Sequence, residues 1–176
     1  MPAPEPSDTV PVWSLFVRLS HWLVAALVLF NLFNESGLVH RYAGYAAAAV
    51  VLARVCWGLA RPRSDPAHVG LPGWRDLQQH LRALMWGDPQ RSLGHNPAGL
   101  LMALLLWALV LGLGVTGWLS QLDAYWGEDW PIDLHQYIAQ ALQACVLLHW
   151  AGVLLMSRLQ KENLARSMLT GRKPRP

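Results

Sequence analysis

Four stretches of this chain are apolar over lengths that match a lipid bilayer. They run from about Leu15 to Phe33, Tyr42 to Leu59, Ala98 to Leu119 and His135 to Met156. A bilayer's hydrocarbon core is about 30 Å thick, and an α-helix crosses it in about 20 residues. The predicted fold is therefore an all-α integral membrane protein, a four-helix transmembrane bundle over residues 13–173. It follows a flexible, proline-rich N-terminal tail over residues 1–12. Composition agrees: charged residues make up 14% of the chain, against about a quarter in soluble domains. The first stretch is read as a retained span. It is as long as the others and is followed by Asn34 and Glu35 without a small-residue cleavage site.

Basic residues are distributed unevenly between the connections. Arg61, Arg63, Arg75, Arg82 and Arg91 lie between the second and third spans; Arg158, Lys161, Arg166, Arg172, Lys173 and Arg175 follow the fourth. The first connection has only Arg41. The last has no Lys or Arg but carries Asp123, Glu128, Asp129 and Asp133. By the positive-inside rule, both termini and the long middle loop are cytoplasmic. The net charge of +3 then reflects topology and attraction to anionic headgroups, not nucleic-acid binding. In the middle loop, Trp74, Leu77, Leu81, Leu84 and Met85 fall on one helical stripe, with Arg75, Gln79 and Arg82 off it. This pattern predicts a short amphipathic helix on the membrane surface. Trp13, Trp57, Trp118, Trp126 and Trp130 fall near span ends, where indoles prefer to sit.

Histidines carry the chemistry. His135 and His149 are fourteen residues apart, which is about four helical turns and a rise of about 21 Å. They share a helix face at two depths. His21 lies near the cytoplasmic end of the first span and His40 at the outer start of the second. Depth therefore pairs His21 with His149 and His40 with His135. Imidazole is a good iron ligand and awkward to leave in hydrocarbon. Two planar macrocycles held between facing helices, each by two histidines, would make two stacked metal centres. A closed zinc site wants about four ligands at one depth, and a lone histidine in a span can instead handle protons. His68 and His80 are expected to be solvated or interfacial. His95, in Gly94-His95-Asn96-Pro97, lies at a helix start, with Asn96 as cap and Pro97 in the first turn; a cofactor or quinone role is open to it.

Several other residues fit beside such groups. Arg54 lies fourteen residues after His40 and is expected to face the bundle interior, where an acidic propionate would suit it. Arg18 precedes His21 by one turn, and Arg41 adjoins His40. Snorkelling to headgroups is the other reading of these arginines. Gly44 and Gly152, one turn beyond His40 and His149, would let a macrocycle approach the backbone, and helix packing explains them equally well. Cys56 and Cys145 fall inside spans and are expected to be small buried residues. There is no CxxCH and no CxxC, so covalent haem attachment and an iron–sulfur or structural zinc pair are not indicated.

The residues Trp13-Ser14-Leu15-Phe16-Val17-Arg18-Leu19-Ser20-His21-Trp22 resemble the W-D-x-x-x-R-x-x-H-W opening of the bacterial cytochrome b561 and nickel-hydrogenase b-type cytochrome family, with Ser14 replacing the usual acid. His40-Arg41-Tyr42-Ala43-Gly44-Tyr45 is similar to that family's second-span start, and Gly94 to Gly99 to its third-span entry. Leu134-His135 and Leu148-His149 match its fourth span, and Glu162-Asn163-Leu164 through Lys173 its tail. The resemblance implies a multi-pass cytochrome of the bacterial inner membrane that binds two b haems. The family's ligand positions fall on His21, His40, His135 and His149.

The resemblance also implies electron exchange between the quinone pool and a periplasmic partner, either a c-type cytochrome or a dehydrogenase or hydrogenase subunit. The acidic, aromatic segment Asp123 to Asp133 is a candidate docking loop for that partner. An electron-transfer subunit without catalytic residues of its own is the first expectation. A stand-alone superoxide:quinone oxidoreductase of the same family is the alternative, and a non-haem small transporter or assembly factor is the remote one.

Overall fold

The computed structural model describes residues 9–87 and 92–175. Tail residues 1–8, and Arg91 from the charge count, lie outside the described residues. Four long helices dominate: α1 (Leu15–Phe33), α2 (Gly37–Leu59), α4 (Pro97–Leu119) and α5 (Trp130–Leu159), with the shorter α3 (Trp74–Met85) and α6 (Leu164–Thr170) between and after them. Each long helix is long and apolar enough to cross a membrane, and the chain is a multi-pass integral membrane protein. Large apolar residues such as Leu23, Phe30, Leu52, Leu105 and Leu154 point outward. Lipid, not a protein core, accounts for such a surface.

Local sequence sets the helix boundaries. Asn96 accepts from the Gly99 N–H at 2.6 Å, and Pro97 follows in the first turn, as the Asn-Pro pair predicts. Ser14 caps α1 by accepting from the Val17 N–H at 3.4 Å. The acid expected at this position and the serine found there are both good caps, so the departure leaves the helix start intact. Two spans extend beyond the predicted limits. Helix α2 begins at Gly37, placing His40 in its first turn. Helix α5 has 30 residues, about 45 Å of helix, so His135 lies in its second turn.

The principal packing runs α1 on α2, α2 on α4 and α4 on α5, while α5 does not pack closely on α1 or α2. The central core joins Ala47 and Val51 of α2 to Val110 of α4 and Leu142 of α5. A second cluster, Val12, Trp13, Val17 and Ala67, closes the end of the bundle where the chain begins and ends.

That end is fastened by a pairing that the sequence pattern does not announce. Residues 9–12, expected in the flexible tail, include β1 (Thr9–Pro11), which pairs antiparallel with β2 (Arg172–Pro174). The N–H groups of Val12 and Trp13 donate to the Gly171 carbonyl at 2.8 and 3.1 Å. Gly171 ends α6 with φ 78°, and a Cβ there would lie 2.7 Å from the Trp13 carbonyl oxygen. Glycine is therefore the residue that fits this position. Buried Lys173 lies 3.8 Å from Glu162 and donates to the Ser92 carbonyl at 3.2 Å. Residues 9–13 and 171–174 consequently meet at one end of the bundle.

Candidate functional site

The gap between α5 and the α1–α2 pair is where the histidines meet. The His21 and His149 rings have centroids 6.4 Å apart, and those of His40 and His135 are 6.1 Å apart. The first pair lies toward the end that carries the termini, the second toward the opposite end. Two imidazoles bound to opposite faces of one metal, with bonds of about 2.0–2.1 Å and rings of about 1.1 Å radius, would have centroids about 6.3 Å apart. Both pairs match that span. Among the described residues no three His, Cys, Asp or Glu side chains converge. Two imidazoles suffice for a planar macrocycle that brings its own equatorial nitrogens.

The rings of the His40–His135 pair are held through Nδ1. His40 Nδ1 lies 2.6 Å from the Asn34 carbonyl oxygen. A carbonyl only accepts, so Nδ1 carries the proton and Nε2 keeps its lone pair. His135 Nδ1 lies 2.9 Å from Thr116 Oγ1, whose hydroxyl donates to the Gly112 carbonyl at 2.9 Å. With that proton on the Gly112 carbonyl, or on the Leu113 carbonyl at 3.3 Å, Oγ1 can accept from His135 Nδ1–H, the tautomer that leaves Nε2 free. Asn31 Nδ2 donates to the His40 carbonyl at 3.1 Å, steadying the start of α2.

These residues border a cavity of about 370 Å³ whose walls include His40, Arg41, Gly44, Gly114, Gly117 and His135. A Cβ at Gly44 would lie 3.4 Å from Asn31 Nδ2, and one at Gly117 3.4 Å from His135 Cε1. Both are ordinary contact distances, so a methyl group would fit at either position.

The His21–His149 pair is built differently. Among the described residues His21 Nδ1 is buried without a hydrogen-bond partner, and its ring packs edge-on against Trp22 at 5.0 Å. Arg54 is 4% exposed. Its guanidinium lies 5.4 and 5.2 Å from the Trp57 and Trp107 rings and donates to the Ala67 carbonyl at 3.1 Å. Its Nη1 is buried without a hydrogen-bond partner among the described residues, leaving a donor for an acidic group. Arg18 donates to the Leu169 carbonyl, tying α1 to α6, and its buried Nε has no partner. Gly152 faces open space.

Two expectations change. His80 is 8% exposed, because α3 folds back against α4 and shields it; burial lowers its pKa. Cys56 is exposed on the bundle surface, on an α2 face turned away from the core residues Ala47 and Val51. His68 is half-exposed, as expected of an interfacial residue, and its Nδ1 lies 2.8 Å from the Arg61 carbonyl oxygen. His95 packs against Trp13 at 4.7 Å, and its Nδ1 is buried without a hydrogen-bond partner. Burial, aided by the positive charge of Arg54, pushes the His95 pKa down to about 4.

Sequence reasoning missed Thr116. The available signal was its isolation as the lone hydroxyl in the 23 residues of α4. The Asn34 carbonyl carried no signal, because every residue has one.

The chain matches the prokaryotic cytochrome b561 family over residues 12–171. No match arises among curated proteins or among solved structures. The family match takes in all four long helices and both histidine pairs, and its members are membrane b-type cytochromes that bind haem b and take part in electron transfer. On a match of that extent, the chain belongs to the prokaryotic cytochrome b561 family.

Proposed function

We propose that this protein is a di-haem cytochrome that carries electrons across the bacterial inner membrane between a periplasmic redox partner and the quinone pool. The observation that carries this reading is the pair of histidine couples, 6.1 and 6.4 Å between ring centroids, each spanning a gap in the helix packing. His40 and His135 would hold one haem, and His21 and His149 the other. When bound, haem b supplies a reversible one-electron couple.

The chain's own residues do the rest. The imidazoles orient, Arg54 and Arg18 offer donors to acidic propionates at the termini end, and Arg41 offers its charge at the other. The apolar helices exclude water. The basic bias of the termini end supports a cytoplasmic orientation for it. The opposite end then presents exposed Asp123, Glu128, Asp129 and Asp133 with Trp126, which is 88% exposed, to a basic periplasmic partner. Helix α3, with Trp74, Leu81 and Met85 outward, suits the cytoplasmic membrane surface.

The test is a reduced-minus-oxidised spectrum with haem quantification on purified protein. Two b haems per chain are expected. His149→Leu should remove one of them, and a protein that keeps both would overturn the pairing.

A further inference from the structure

The two histidine pairs differ in how their rings are held, and the difference bears on redox potential. In the His40–His135 pair both Nδ1–H groups donate to protein oxygens, Asn34 O and Thr116 Oγ1. An acceptor on Nδ1–H increases the basicity of the ligating nitrogen and favours the oxidised metal. In the His21–His149 pair, His21 Nδ1 has no hydrogen-bond partner among the described residues. Charge does not separate the levels, since each has an arginine, Arg54 at this one and Arg41 beside His40 at the other; the hydrogen bonds at Nδ1 do.

We infer that Thr116 and the Asn34 carbonyl make the His40–His135 level the more reducing of the two, so that an electron delivered there runs on to the His21–His149 level. Thr116 is a positioning residue: it touches His135 and acts through it. With haem held at both levels, each would supply a one-electron couple; two electrons from a one-electron periplasmic donor, with two protons from water, would convert one quinone to its quinol. No proton moves at the imidazoles, since both Nδ1–H bonds persist. The inference rests on the proposed histidine ligation, and it adds an order of potentials and a direction to it.

Spectroelectrochemical titration of the purified holoprotein tests it. His149→Leu keeps the His40–His135 level and His135→Leu keeps the other, which assigns the two midpoints. The His40–His135 midpoint should be the lower. Thr116→Val preserves shape but removes the acceptor; it should raise that midpoint and change electron partition between the levels by about three- to tenfold, the worth of one hydrogen bond. For a one-electron couple this is about 30–60 mV. The other midpoint should stay in place, and Thr116→Ser should restore the original value.

A His40–His135 midpoint at or above the other overturns the inference, as does a Thr116→Val protein with two haems and an unmoved midpoint. If Thr116→Val does not retain haem at that level, the order of midpoints in the two single-ligand variants decides alone. Histidine variants that keep two haems per chain would instead overturn the ligation, a separate result.

Discussion

Replacing Gly114 by alanine should loosen the bundle at the level of the His40–His135 pair. A Cβ on Gly114 would lie 2.9 Å from the Ala48 Cβ, where carbons otherwise rest about 3.5–4.0 Å apart. Relief requires α2 and α4 to part by about 0.6 Å or more. The residues of this core, Ala47, Val51, Val110 and Leu142, are 0–5% exposed, so little slack is available. A gap of about 0.5–1 Å forfeits about a quarter to a half of each dispersion contact. Overpacking of this kind costs about 1–3 kcal/mol.

Alanine's better helix propensity opposes that cost by about 1 kcal/mol, so the proper comparison is Gly112→Ala. A Cβ at Gly112 meets Ile138 Cδ1 at an ordinary 3.5 Å. Propensity cancels between the two variants. Gly114→Ala should be less stable than Gly112→Ala by about 1–3 kcal/mol, read by denaturant unfolding in detergent with helical circular dichroism as the signal. Because α2 carries His40, haem at that level should also be lost first. Equal stabilities, within about 0.5 kcal/mol, would refute the claim that α2 and α4 touch tightly here.

His95 predicts a pH dependence. Its pKa is about 4 in the folded protein, against about 6.5 unfolded. The unfolded chain thus takes up a proton first as pH falls. The contribution of His95 to stability is complete above about pH 6.5 and is lost as pH falls from there toward 4. Thermal unfolding across this range should fall more steeply for the wild-type protein than for His95→Gln; parallel profiles would refute it. At the other end of the bundle, electron transfer from a basic c-type cytochrome should slow as ionic strength rises, since the acidic loop is exposed and screening grows with salt. Glu128→Gln with Asp129→Asn should weaken that salt dependence, and a rate indifferent to salt would rule out electrostatic docking.

Much of the architecture was legible because its causes are local. Apolar length located the four spans, and Asn96-Pro97 located a helix start to the residue. Helical periodicity placed His135 and His149 on one face and ordered the four histidines by depth. Contacts between distant segments were not legible. Nothing in Thr9–Pro11 marks it as the partner of Arg172–Pro174, since three residues carry too little pattern to name a strand. Burial of His80 depends on α3 folding against α4, and exposure of Cys56 on which side of α2 faces lipid. In a helix apolar all round, the sequence leaves that side unmarked. Arg54 was legible as a charge that needs company, with Trp57 one turn on along α2, but Trp107 became its partner only once α4 packed on α2, and the Ala67 carbonyl only once the loop after α2 folded back.

The sequence by itself determined that the chain crosses a membrane four times and holds two imidazole levels. Hydrophobic length and helical rise are properties of each segment alone. The tertiary structure decided which rings face each other and at what distance, and that α5 stands off from α1 and α2. It also decided that His40 and His135 donate through Nδ1 while His21 does not. Those outcomes depend on packing between helices, where the hydroxyl of Thr116 and the absent side chain of Gly114 matter as much as the histidines.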